Sequence, residues 1–228
     1  MTDTFSRIGY YCGRLGEGLT AEPQNALTNV AFLIAAGYGL VLWRATTRRD
    51  GYQLALIGLA AMIGLGSFLF HTMHVPITLW LDLIPIQLFG LAALFYLARG
   101  AFGLSVSGAL GVIAVFFLLR QGWIISAPRG ALGGGITHVP TIALLIASGI
   151  LLVRRGERLG RYLLAAAGLY VAAIGARVAD IMLCSALPFG FHWLWHLLTA
   201  AVIALILIGL IGSDGTAKPK NHAPMPSP

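Results

Sequence analysis

The chain has 228 residues, of which 58% are hydrophobic and only 10% charged, with a formal net charge of +7 and two cysteines. Soluble domains run at about 45–50% apolar and about 25% charged residues, disordered chains are poor in apolar residues, and disulfide scaffolds are rich in cysteine, so all three classes are excluded. What remains is a polytopic membrane protein, for which about 20 residues per span allow seven or eight helices.

Taken in chain order, the opening stretch MTDTFSRIGYYCGRLGEGL lacks the basic-then-apolar order of a signal peptide, so the first apolar run is expected to direct insertion itself. Apolar runs broken by charge, glycine or proline predict spans near 26–43, 53–73, 76–98, 104–119, 137–153, 161–183 and 192–211. The segment from Pro128 to Gly135 reads as a loop. The expected fold is therefore an all-α membrane protein, a seven-transmembrane helix bundle over residues 1–212, followed by a disordered tail over 213–228. No internal repeat suggests the inverted halves of a transporter.

In a soluble domain the positive charge would suggest a nucleic-acid partner, but here it reports topology, and no nucleic acid is expected. With seven spans, one side holds Arg44, Arg48, Arg49, Arg99, Arg154, Arg155, Arg158, Arg161, Lys218 and Lys220. The other holds Arg7, Arg14, Arg120 and Arg129, while Arg177 lies within a span. Positively charged loops stay in the cytoplasm, so the N-terminus is expected outside and the C-terminus inside.

Ionisable groups within spans cost about 2.5–3.5 kcal/mol each on insertion scales and need a reason to be there. Ser67 and His71 close the second span, Asp82 sits early in the third, and His192 and His196 open the seventh. Each spaced pair is four residues apart, so its members share a helix face. Alternation of the spans then brings all five residues to one depth near the outer face. Three neutral imidazoles with an open position are the ligand set of a catalytic zinc site, Asp82 could accept a proton, and Ser67 could donate a hydrogen bond to a water or oxyanion. The blander alternative is interhelical hydrogen bonding alone. His74, in a short outer loop, His138, at an interface, and His222, in the tail, are given no metal role.

In this order the residues resemble the alkaline ceramidase family, part of a superfamily of seven-helix membrane hydrolases that also includes adiponectin-receptor-like proteins. The motifs are E-P-Q-N-A-L-T-N from Glu22 to Asn29, G-S-F-L-F-H from Gly66 to His71, Asp82, A-R-V-A-D from Ala176 to Asp180, and H-W-L-W-H-L-L-T-A from His192 to Ala200. The resemblance implies zinc on His71, His192 and His196, with Ser67 and Asp82 beside the bound water. It also implies hydrolysis of ceramide to sphingoid base and fatty acid, and a disulfide between Cys12 and Cys184.

Eukaryotic relatives carry a calcium site in an acidic N-terminal segment, but here that stretch reads Tyr10-Tyr11-Cys12-Gly13. Calcium takes about six to eight oxygens, and Glu17 with Glu22 supplies too few, so calcium is not expected. For Glu22, Asn25 and Asn29 the alternative is capping of the first helix and interhelical hydrogen bonding.

Arg177 and Asp180, three apart, are expected to form an ion pair, with a lipid head group as the alternative partner of Arg177. Trp80, Trp193 and Trp195 read as an aromatic belt at the outer interface, with Trp43 near the inner one, or as a wall for an acyl chain. The expected partners are the bilayer and a lipid substrate, ceramide or another N-acyl lipid. The alanine- and arginine-rich composition predicts a bacterial inner membrane with the active site toward the periplasm. Two rival readings share some of these residues: a receptor-like or haemolysin-like relative, and a metal- or proton-coupled transporter using the histidines and Asp82 as a relay.

Overall fold

The structure, a computed structural model, describes residues 12–14, 18–47, 49–128 and 130–214. Among these it holds eight α-helices, one 3-10 segment and no strand: α1 Pro23–Thr28, α2 Val30–Ala45, α3 Gly51–Met73, α4 Pro76–Gly100, α5 Val106–Ser126, the 3-10 segment Ala131–His138, α6 Val139–Arg154, α7 Arg158–Met182 and α8 His192–Asp214. Seven stretches are long and apolar enough to cross a membrane, with α1 and α2 sharing the first and the 3-10 segment leading into the fifth. Among the described residues the fold is thus all-helical, with seven helices long and apolar enough to span a membrane.

Two boundaries differ from the sequence expectation. The fourth span, read as 104–119, runs on to Ser126, because Arg120 lies inside the helix rather than ending it. The segment expected as a loop coils from Ala131 onward as a 3-10 turn, with Leu132, Gly133 and Gly134 at φ of 53°, 62° and 80°. The expected tail lies outside the described residues beyond Asp214, where α8 ends.

The core is built from α2, α3, α4, α6, α7 and α8, where Leu56, Ile63, Leu152, Leu163, Leu207 and Ile211 are almost wholly enclosed. Helix α5 stands at the edge and fully buries only Ala109. Three features position the end of the bundle where α3 finishes and α4 and α8 begin.

The first is the α3–α4 hairpin. His74 takes a left-handed conformation with φ of 47° and donates its N–H to the Phe70 carbonyl at 2.9 Å, and Pro76 then starts α4. Such a tight turn lays the two helices side by side.

The second is a close approach at Gly66. Pro85 has no N–H to offer the Leu81 carbonyl one turn earlier, and that carbonyl lies against Gly66, where a Cβ would collide with it. The absence of a side chain at Gly66 thus lets its neighbour Ser67 meet Asp82, the neighbour of Leu81.

The third is Asp180 on α7. Its carboxylate accepts from Phe191 N–H at 2.6 Å, His192 N–H at 3.1 Å and Cys12 N–H at 3.3 Å. It therefore places negative charge and acceptors at the start of α8, where backbone donors have no partner of their own in the helix. Gly190 makes room, with φ of 58° and a Cα where any Cβ would strike Asp180 and Cys12. A disulfide joins Cys12 to Cys184, with Cα atoms 5.4 Å apart.

Candidate metal centre and its surroundings

The residues singled out in three different spans meet at this end of the bundle. His71, His192 and His196 are 1%, 2% and 3% exposed, and one ligand atom from each lies within 4.8 Å of the others. Their ring centroids are 5.1 Å apart for His71 and His192, 4.8 Å for His71 and His196, and 4.6 Å for His192 and His196. The four-residue spacing on α8 does what it should, directing two imidazoles to the same side of the helix. His71 arrives from α3, one turn after Ser67.

Ser67 and Asp82 are both buried and hydrogen-bonded to each other, and Asp82 lies within electrostatic reach of His71. The structure thus groups all five residues expected from the sequence. His74 stays outside the set of three, at the rim, where burial and then the Arg14 guanidinium hold its imidazole below the ordinary value.

Two contacts orient the imidazoles: Glu22 makes the interhelical hydrogen bonding expected of it, without a side-chain cap on α1, while Thr28 is not singled out by the sequence. The Glu22 carboxylate takes His71 Nδ1 at 2.6 Å, and also receives Arg14 Nη1 at 2.8 Å and Asn25 Nδ2 at 3.1 Å. Burial alone would raise Glu22, but the hydrogen bond and charge of His71, with Asn25 and Arg14, outweigh it and hold the carboxyl below its usual value. An ionised carboxylate accepts only, so the proton sits on His71 Nδ1 and Nε2 is left for a ligand. Likewise Thr28 Oγ1 lies 3.1 Å from His196 Nδ1, while its own hydroxyl is placed to donate to the Gln24 carbonyl at 2.8 Å. Glu22 and Thr28 both belong to the E-P-Q-N-A-L-T-N stretch, of which Asn29 instead donates Nδ2 to the Asn25 carbonyl at 2.8 Å. Glu17, the other residue considered for calcium, lies outside the described residues.

The donor set suits a metal ion such as zinc. It offers three buried nitrogen ligands, two of them with the second ring nitrogen tied to an oxygen, which fixes tautomer and ring orientation as in other histidine metal sites.

Beyond Asp180, the α7 side of the site contains Arg177. Arg177, expected to form an ion pair with Asp180, lies within electrostatic reach of it and also makes other contacts: its Nε donates to the Gly133 carbonyl at 3.0 Å and its guanidinium lies 5.0 Å from the Trp195 ring. Trp195 turns inward to these groups and to His138, with ring centroids 5.1 Å apart. His138 packs against Tyr170, whose hydroxyl is 2.8 Å from its Nδ1. Trp80, by contrast, faces outward and is 58% exposed, as a belt residue would be.

No curated protein matches the chain. The family model described as Ceramidase matches residues 17–224, nearly the whole chain. Both the described site and the helical frame lie within that match, and the protein belongs to the ceramidase family, whose members are hydrolases of amide bonds in lipids.

Proposed function

We propose that the protein is a zinc-dependent hydrolase that cleaves the amide of ceramide or a related N-acyl lipid, releasing an amine base and a free fatty acid. The observation that carries this reading is the meeting of His71, His192 and His196 in one buried group within a ceramidase-family chain. Zinc held there would supply a Lewis acid for the amide carbonyl and lower the pKa of a bound water to about 7.

The remaining work falls to side chains. Glu22 and Thr28 hold the His71 and His196 rings in the orientation that directs a nitrogen inward. Asp82 takes one proton from the attacking water and returns it to the leaving nitrogen, so that a C–O bond forms as the C–N bond breaks and the products are the acid and the amine. Ser67, hydrogen-bonded to Asp82, fixes its carboxylate. Burial of all five residues excludes bulk water, and the lipid would reach them sideways between helices.

The count of Lys and Arg by side supports an outward-facing site, hence a periplasmic face in a bacterial inner membrane. Glu22, already engaged by three partners, reads as a support for His71 rather than a calcium ligand.

The test is purified protein of measured metal content, incubated with a panel of N-acyl lipids while released fatty acid is quantified. Chelated protein should lose turnover and recover it with zinc, and folded His71→Ala should hold less metal and release no acid. Turnover by metal-free protein, or by folded His71→Ala, would overturn the reading.

A further inference from the structure

A cavity of about 850 Å³ lies at the end of the bundle away from the histidines, walled by the ends of α2, α4 and α8 and the start of α7. A second, of about 330 Å³, lies between α4, α5 and α6. Both are lined by Leu97 and Arg155, so they are neighbours and lead together from the middle of the bundle toward α5, the helix that fully buries only Ala109. Each falls in the size range of a small-molecule site, about 300–1,000 Å³.

The walls are mostly apolar, with Leu42, Leu159 and Ile208 in the first cavity and Leu94, Val112 and Leu144 in the second. Charge collects where the spans end. Arg155 and Arg158, both exposed, flank the turn from α6 to α7 and line the larger cavity. The Arg155 guanidinium lies 5.1 Å from the Phe102 ring and no nearer than 3.5 Å to the Ala101 carbonyl, which leaves most of its N–H donors for another acceptor. Among the described residues neither guanidinium is in a salt bridge, although Glu157 lines the same cavity. Helix α7 also starts at this rim without a side-chain cap, so its first N–H groups add to the positive potential.

An apolar space that ends in two such guanidinium groups, at the level where spans meet the head groups, complements a phospholipid with its acyl chain inside and its phosphate at the rim. The chain's own residues after α8 do not fit by charge, because 215–228 carries Lys218 and Lys220 and no acidic side chain. A free phosphate would use the rim alone and leave the apolar walls uncovered.

We propose that these two cavities bind one anionic phospholipid, its phosphate on Arg155 and Arg158 and an acyl chain running past Leu97 into the space between α4, α5 and α6. The lipid comes from the leaflet that the Lys and Arg count assigns to the cytoplasm. It is a bound partner remote from the histidines and not a substrate, so the site stands whether or not the protein is a hydrolase.

The test titrates delipidated protein, in a neutral detergent, with phosphatidylglycerol or with phosphatidylcholine of the same acyl chains. Bound lipid per chain is counted by native mass spectrometry, and Tm is followed in parallel. The wild type should take up one phosphatidylglycerol, at least about tenfold more tightly than phosphatidylcholine, and its Tm should rise with the first lipid only. The double variant Arg155→Gln/Arg158→Gln should lose this preference. Arg154→Gln, on the same turn but outside both linings, should keep it.

Equal binding of the two lipids overturns the proposal. So does an equal loss in Arg154→Gln, the mark of a general attraction between basic loops and acidic head groups. Displacement of the lipid by glycerol phosphate at a similar concentration also overturns it, since a free phosphate would then be the ligand. If the double variant does not fold, the comparison of lipids and the glycerol phosphate competition, both read on the wild type, still decide.

Discussion

The two ends of the bundle are built on different terms. At the end with the histidines, most of the buried polar side chains gather and several have a named partner: Glu22 on His71, Thr28 on His196, Ser67 on Asp82, Asp180 on the first residues of α8. At the other end the helices splay around a cavity of about 850 Å³, lined mostly by apolar residues such as Leu42, Leu97 and Leu210, with Arg155 and Arg158 at its rim. Between them lies about 20 Å of α3 whose buried side chains are Leu56, Ile57, Ala60 and Ile63, faced by Ala200, Ile203 and Leu207 of α8. Along the seam of α3 and α8 the described interior thus has a polar cluster at one end and no buried polar side chain between it and Gln53 at the other. A proton relay or ion path through that seam would need such groups, which counts against a coupled transporter using it.

The contrast can be broken or sharpened by substitution. The largest effect should come from Asp82→Asn, which keeps the shape of the site but removes the base: kcat should fall by about 10²–10⁴ while metal content stays at the wild-type level. A loss of metal equal to the loss of rate would show that Asp82 acts as a ligand instead.

Next comes Gly66→Ala, which drives a methyl group into the Leu81 carbonyl and should cost about 1–3 kcal/mol in detergent unfolding, with a matching loss of turnover. Gly58→Ala on the same helix meets nothing within 4 Å and serves as the control, expected to be neutral or mildly stabilising. Glu22→Gln should weaken zinc affinity by about 10–100-fold in competition with a chelating dye, because the carboxylate no longer fixes the His71 tautomer.

The smallest effect belongs to the far end. Gln53→Leu replaces a buried amide that donates to Tyr96 Oη at 2.8 Å, and should shift stability by about 1 kcal/mol without changing metal stoichiometry. A change in bound metal there would show that the two ends communicate.

Much of this was readable before the coordinates. Seven apolar runs separated by charge are a strong signal because lipid leaves few alternatives to a helix, and the five polar residues stand out because so few others interrupt the runs. Alternation of the spans sufficed to bring them together, since antiparallel neighbours put the end of α3 beside the starts of α4 and α8. What escaped the reading has no local pattern. Glu22 meets His71 across 49 residues and Thr28 meets His196 across 168, pairings set by packing rather than periodicity. Arg120 marks a boundary in the sequence because a charge ordinarily does, yet α5 runs through it. The glycine-rich stretch before His138 predicts a loop because such stretches ordinarily form one, yet it coils as a 3-10 segment.

The position of the ligands along the chain also has a consequence for how the protein is made. His71 emerges early, but His192 and His196 open the last helix, and the Asp180 carboxylate that holds the start of that helix also receives the backbone of Cys12 from the far end of the chain. A growing chain halted before α8 therefore owns one imidazole of three, and the Asp180 carboxylate still lacks the His192 N–H that it is to hold. A metal held by all three imidazoles would therefore be captured only in the final step of synthesis, once the last helix is made, so a nascent chain would present no assembled metal centre to the bilayer.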